Sequence, residues 1–422
     1  MFKKNKKKIY AIIILLIILA VGFGVWFFFG DNGSDKEDGA PFGSNAPFGS
    51  SGEGGGFSGG SGEGGVAGED GKIPQLYQIT NAPIAGAAGF TRGEGTTTPF
   101  VRFMDRASGN VFELSYEDFT TQRITNTTIP RVHEAFFTKK GSGVVARYLD
   151  DDGQTIKTFM GDINEPEVDG EIGTIEGRFL PEGIRETSVS SNGSSLIYIN
   201  PENASGELVR MSLKNPDDRD VIFSFPFSEW LIDWEDRVYL TSKPSGVAQG
   251  YSYALNGGEL EKVAGGIGLT VLPSPSGRFI LHSDTGQGTL GLRMRNVDAD
   301  NSRTVPFNTL PEKCAWNDAE TRVYCGVPKE IPAGTYPDTW YQGVVQFSDS
   351  LQMFSTKTNV SSSISALDTQ SGQPIDVVHP FLGPEGKYFF FTNKRDGTLW
   401  SFRLEANTGT STNTTNEGVE SN

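Results

Sequence analysis

One unit recurs through the middle and the C-terminal part of this chain: a small turn followed at once by a run of apolar residues. It stands as Asn192-Gly193-Ser194-Ser195-Leu196-Ile197-Tyr198. It returns as Ser276-Gly277-Arg278-Phe279-Ile280-Leu281 and as Glu385-Gly386-Lys387-Tyr388-Phe389-Phe390. Degenerate copies lie at Glu235-Asp236-Arg237-Val238-Tyr239-Leu240 and Asp318-Ala319-Glu320-Thr321-Arg322-Val323-Tyr324. Successive turns are 43, 41, 42 and 67 residues apart, and the last interval contains an insertion. A period of about 40–45 residues with four short strands per unit is that of a propeller blade. Gly, Asn or Asp supplies the positive φ of a hairpin turn, and the apolar run that follows enters a buried strand. Composition agrees, since 53 glycines and 11% aromatics favour short strands and tight turns.

A second repeat bears on how the ring closes. Ile79-Thr80-Asn81 with Ile84 matches Ile124-Thr125-Asn126 with Ile129, 45 residues on. The second copy ends one blade and leads into the next. The first copy therefore makes residues 76–80 an outermost strand with no blade of its own before it. The last blade has only three strand-like segments, 379–382, 387–392 and 398–404, and so lacks one strand. If the N-terminal strand supplies it, the ring closes and the count is seven blades. The fold class read from the sequence is all-β, a seven-bladed β-propeller over residues 72–405.

The Pro/Ser-x-Gly-(Arg/Lys) turn before an apolar strand, best formed at 273–281 and 384–390, resembles the WD40-like (PD40-type) repeats of TolB-type propellers. The layout of the whole chain is similar to bacterial proteins that join one N-terminal helix to such a propeller. The resemblance implies the fold. It implies little about function, because propellers host many.

Residues 9–29 contain no charged side chain. As a helix they span roughly 32 Å, against a hydrocarbon core of about 30 Å. The run ends in Val25-Trp26-Phe27-Phe28-Phe29, bulky where a cleavable signal peptide ends in small residues. The reading is an uncleaved transmembrane helix. Lys3, Lys4, Lys6, Lys7 and Lys8 precede it, while Asp31, Asp35, Glu37 and Asp38 follow. That asymmetry places the basic N-terminus, residues 1–8, in the cytoplasm and the bulk of the chain outside. The expected location is the cell membrane, single-pass, with the propeller extracytoplasmic. Residues 30–71 repeat Ala-Pro-Phe-Gly-Ser and Ser-Gly-Glu-Gly-Gly, a composition too poor in apolar surface to order itself. They read as a disordered Gly/Ser/Glu-rich linker, and residues 406–422 as a disordered tail.

The net charge of −16 argues against a nucleic-acid partner. The three histidines, His133, His282 and His379, limit histidine chemistry. Gly-x-Ser-x-Gly is absent, and His133-Glu134 has no second His at zinc-protease spacing. Asp150-Asp151-Asp152-Gly153 lacks the alternation and the glutamate of an EF-hand loop and reads as a solvated turn. The sequence thus yields no catalytic residue, no metal ligand and no cofactor. His379, beside Pro380, is a candidate for the axial channel, and Asp233 is the main ionisable residue on the inner strands considered.

The insertion at 327–349 of blade 6 carries Tyr336, Trp340 and Tyr341, which are taken as binding candidates. Long loops on a rigid scaffold carry recognition, and Tyr and Trp dominate interface energies. The blade-four loop 242–250 belongs on the same face. The functional expectation is a non-catalytic binding or scaffold module of the cell envelope, tethered to the membrane and recognising a protein or envelope polymer. The alternative is a propeller hydrolase or lyase with its site in the axial channel. A carboxylate cluster at the channel mouth would favour that alternative. Finally, a hairpin centred between Ala319 and Glu320 sets Cys314 opposite Cys325. Opposed residues of an antiparallel pair lie within disulfide range, so these two cysteines are expected to be bonded.

Overall fold

The computed structural model describes residues 73–404 apart from 94–97, 117–118, 166–170, 203–205, 227–228 and 286–289. The membrane segment expected at 9–29, the linker at 30–71 and the tail at 406–422 lie outside the described residues. Among the described residues no helix is long and apolar enough to cross a membrane.

The described chain forms seven four-stranded antiparallel sheets. Six of them use consecutive strands. The seventh consists of Val377–Leu382, Tyr388–Asn393 and Leu399–Arg403, and its outer strand is Leu76–Gln78 from the other end of the domain. Leu76 pairs with Phe402, Tyr77 with Ser401 and Gln78 with Trp400. The backbone ladder continues on both sides, with Arg403 N–H donating to Gln75 O at 2.8 Å and Ile79 N–H to Leu399 O at 2.8 Å. The ring thus closes as the repeats imply, and closure removes the open edges that a linear stack of sheets would expose.

Apolar residues fill the wedges between blades. Between blades 3 and 4, Ile197, Ile199 and Leu208 meet Trp230, Ile232, Val238 and Leu240. Between blades 6 and 7, Tyr324 and Leu351 meet Phe389, Phe391 and Phe402, and Leu76 joins this cluster. Between blades 7 and 1, Phe390 and Leu399 meet Ile84, Val101 and Leu114. Each strand feeds side chains to both faces of its sheet, so each blade is buried on two sides by its neighbours.

The recurring turns are the connections from first to second strand of each blade, and together they line one face of the ring. There the blades touch through backbone. Lys139 N–H of blade 2 donates to Gly193 O of blade 3 at 2.9 Å, and Arg102 Nη1 of blade 1 donates to Gly141 O of blade 2 at 2.6 Å. Gly193 has φ +67°, and a Cβ there would stand 2.6 Å from Lys139 N. Glycine is required both for the conformation and for the approach. The Tyr239 hydroxyl donates to Gly277 O. In the degenerate turn of blade 6, Glu320 adopts φ +52° and its carboxylate accepts the Ser276 N–H at 2.6 Å.

The opposite face carries the connections between blades and those from second to third strand. The insertion of blade 6 lies here, between Arg322–Pro328 and Asp349–Ser355, with the short helix Asp338–Tyr341 inside it. As expected, the blade-four loop shares this face, because Gly246 N–H donates to Asp338 Oδ2 at 2.7 Å. In blade 6, Cys314 pairs with Cys325 across the first two strands, and their sulfurs are 2.15 Å apart.

Candidate functional site

A cavity of about 750 Å³ opens on the insertion-bearing face. Its walls come from the inner strands of blades 1, 2 and 7 and from blade 6 beside them. The inner strand of blade 2, Val132–Thr138, is bulged: Val132 pairs with Tyr148 and Glu134 with Arg147, which leaves His133 unopposed. The inner strand of blade 7 is bulged as well. Val378 pairs with Thr392 and Phe381 with Phe390, so His379 and Pro380 together face Phe391. Pro380 has no N–H to give the ladder, and His379 takes φ +48°. Bulges re-aim side chains, and they concentrate beside active sites. Two of the chain's three histidines therefore leave the sheet pattern and line one cavity.

Each histidine has a defined electrostatic setting. Arg106 Nη2 donates to His133 Nδ1 at 3.1 Å. A guanidinium has no acceptor, so Nδ1 accepts and the ring proton of neutral His133 sits on Nε2. The exposed surface of His379 faces the lumen, while the ring itself lies deep within the ring of blades. Burial lowers its pKa; Glu134 opposes the shift and Arg106 adds to it. His379 is thus neutral at pH 7 and able to accept a proton. Glu134 pairs with Arg147, Nη1 to Oε2 at 3.1 Å, and Arg147 Nη2 donates to Arg185 O at 2.5 Å.

An acidic group adjoins the cavity, and of its members Glu312 lines it. Glu312, in the connection into blade 6, accepts the Thr270 hydroxyl at 3.0 Å and the Tyr341 hydroxyl on its other oxygen. Burial raises the Glu312 pKa. Asp233, on the inner strand of blade 4, is pushed up to about 7 by burial and then by repulsion from Glu312 and Glu186. Glu186, at the entry to blade 3, also rises to about 7, again through burial first. Through Thr270, Glu312 reaches the entry of blade 5, which adjoins blade 4, and so comes close enough to Asp233 to repel it. Asp233 and Glu186 hold protons near neutrality that ordinary carboxylic acids lose near pH 4. Unpaired ionisable groups in a low-dielectric lumen cost stability, and such groups cluster at functional sites.

The sequence reading missed most of this set. Glu186 and Glu312 lie one and two residues before their inner strands. The signal was present as acidic residues at the entries to inner strands. The binding candidates divide. Tyr336 (4% exposed) and Trp340 (1%) pack with Phe347, Val345 and Leu310 and fix the insertion. Only Tyr341 (42%) presents its ring, beside Glu312 at the cavity.

No family model and no curated protein matches this chain. Among solved structures, it is similar to an oligogalacturonate lyase from Vibrio parahaemolyticus, at 13% identity over 78% of this chain and 93% of that one, with TM-score 0.49. It is similar to an oligogalacturonate lyase in complex with manganese, at 13% identity, the same coverage and TM-score 0.48. A third is the Cps50 (Swd1) β-propeller domain from Myceliophteria thermophila, at 13% identity over 78% of this chain and all of that one, with TM-score 0.48. The expectation of a non-catalytic binding or scaffold module is corrected at this point. That expectation found few ionisable groups at the inner strands, whereas His133, Glu134, Glu312 and His379 line one cavity together.

Proposed function

We propose that this propeller is an enzyme, a hydrolase or lyase, whose site is the mouth of the axial channel on the insertion-bearing face. The observation that carries the reading is the pair of β-bulges that turn His133 and His379 out of their sheets into one cavity. A neutral His379 is a general base. Across the lumen, Glu312 with its raised pKa and its Tyr341 partner, backed by Asp233 and Glu186, is the general acid side. A neutral imidazole and a carboxyl whose pKa burial raises, lining one cavity, suit proton removal at one atom and proton delivery to a leaving oxygen at another. Arg106, Arg147 and Lys394 also line the cavity, and they suit an anionic substrate such as a carboxylate-bearing sugar. Tyr341 is the remaining aromatic contact for a ring-shaped ligand.

The test is turnover of a panel of anionic oligosaccharides, oligogalacturonate among them. A lyase is read by the absorbance of the new carbon–carbon double bond, and a hydrolase by incorporation of heavy oxygen from water. On whichever substrate turns over, His379→Ala should lower kcat about 100-fold or more. A variant as active as the parent would remove the site from the channel mouth. The same proposal keeps the TolB-type family reading, the membrane tether and the extracytoplasmic location. Protease added outside the membrane should release the folded propeller from intact, envelope-permeabilised cells, and full protection would reverse the orientation.

A further inference from the structure

Outside the channel, a second cluster of ionisable groups joins blade 6 to blade 7. Lys313 is the last residue before the inner strand of blade 6, Asp349 opens its third strand, and Asp376 immediately precedes the inner strand of blade 7. All three side chains are wholly buried. Lys313 Nζ lies 2.7 Å from Asp349 Oδ2, 2.5 Å from Asp376 Oδ1 and 2.9 Å from Val377 O. The rings of Trp340 and Phe347 close over it at 5.2 and 5.1 Å. Two carboxylates share one directly bonded ammonium, with Lys394 the next cation, 5.1 Å from the Trp340 ring. Wholly buried charges of this kind favour a proton transfer or reaction that removes charge.

The donors around the two carboxylates are unequal. Asp376 Oδ2 accepts both Trp340 Nε1–H and Phe347 N–H, each at 3.0 Å. That is a pair of fixed N–H groups on the oxygen of a carbonyl carbon, with an amine held beside its other oxygen. Asp349 Oδ2 takes the Val377 N–H at 2.7 Å, while its Oδ1 has no hydrogen-bond partner among the described residues. Burial pushes Asp349 up to about 6 although Lys313 opposes the shift, so this carboxyl accepts a proton readily.

We propose that Lys313 and Asp376 are joined by an amide bond that the folded chain forms by itself. Asp349 takes a proton from the Lys313 ammonium and passes it to Asp376 Oδ1. The neutral amine then attacks Cγ of the protonated Asp376, and the Nζ–Cγ bond forms. The negative charge that develops on Oδ2 is held by Trp340 Nε1–H and Phe347 N–H, as in an oxyanion hole. Asp349 carries a second proton from Nζ to Oδ1, the Cγ–Oδ1 bond breaks, and Oδ1 leaves as water. Ammonium plus carboxylate become amide plus water, Asp349 is regenerated, and no oxidant or cofactor enters. Fixed contact between nucleophile and carboxyl supplies the effective concentration that the uncatalysed condensation lacks.

Mass spectrometry of the full-length chain, after reduction of its cysteines, tests the bond. The expected mass is about 18 Da below that of the sequence, the mass of the water lost. Trypsin should fail to cut after Lys313 and should give a branched peptide joining Lys313 to Asp376. The full sequence mass, or a loss of water mapped to any other residue pair, would overturn the proposal. In Asp349→Asn, which keeps the shape of the side chain, the full mass should return while circular dichroism stays that of the parent. A cross-link that persists in this variant would overturn the proton relay assigned to Asp349.

Discussion

On the face of the first hairpin turns, neighbouring blades meet through backbone hydrogen bonds and glycines, and Glu320 finds a fixed donor in Ser276. On the opposite face the strands bulge, His379 sits at positive φ, and burial together with repulsion from Glu312 and Glu186 raises the pKa of Asp233, while Arg147 and Lys243 only partly offset the burial of Glu186. The two faces belong to the same seven sheets. They differ in what the connections carry: one face satisfies its polar groups locally, while the other gathers carboxyls whose ionised form burial makes costly. The difference separates the residues that keep the ring together from those that give it a chemistry.

The comparison breaks most sharply at Gly193. Gly193→Val places a branched side chain at positive φ, against the backbone of Lys139. It should cost about 3 kcal/mol in urea unfolding. A cost near zero would mean that the turn face does not hold the blades. Next in size is the covalent support on the other face. Reducing Cys314–Cys325 should lower stability by about 2–3 kcal/mol on the chain-entropy model. Alkylation of both thiols without prior reduction would show that this support does not exist in the purified protein.

Asp233→Asn should act with the opposite sign. With its folded pKa raised to about 7, Asp233 keeps a proton that the unfolded chain loses near pH 4. Stability therefore falls as pH rises from about 4 to about 7 and stays lowered above that. The variant should gain about 1–2 kcal/mol over the parent at pH 8 and nothing at pH 4. Equal gains at both pH values would show that the carboxyl is not the cause. The smallest effect is expected for Tyr341→Phe, a half-exposed ring at the cavity, within about 0.5 kcal/mol of the parent. Its consequence should appear in turnover instead.

Most of the ring was legible because a blade repeats. The turn glycines, the apolar runs after them and the orphan strand at Leu76 follow from local rules that every copy obeys. The cavity was not legible, because its members come from blades 1, 2, 6 and 7 and share no spacing. The bulge at His379 had a local sign in Pro380, whereas that at His133 had none. Tyr336 and Trp340 read as surface aromatics because a long insertion looks exposed in sequence. The fold instead uses them to bury Lys313 and to anchor the loop.

The strand Leu76–Gln78 has a consequence for how the domain is written into a gene. A chain made N-terminus first holds this strand without a partner until Leu399–Arg403 exists, so closing the ring is the contact of longest reach in the domain and is favoured to form late. Once it has formed, the two ends of the folded domain are hydrogen-bonded to each other at Gln75 and Arg403. A short peptide is then enough to join them. A chain reopened at a surface connection between two other blades would start and stop elsewhere on the circle and still encode the same seven sheets.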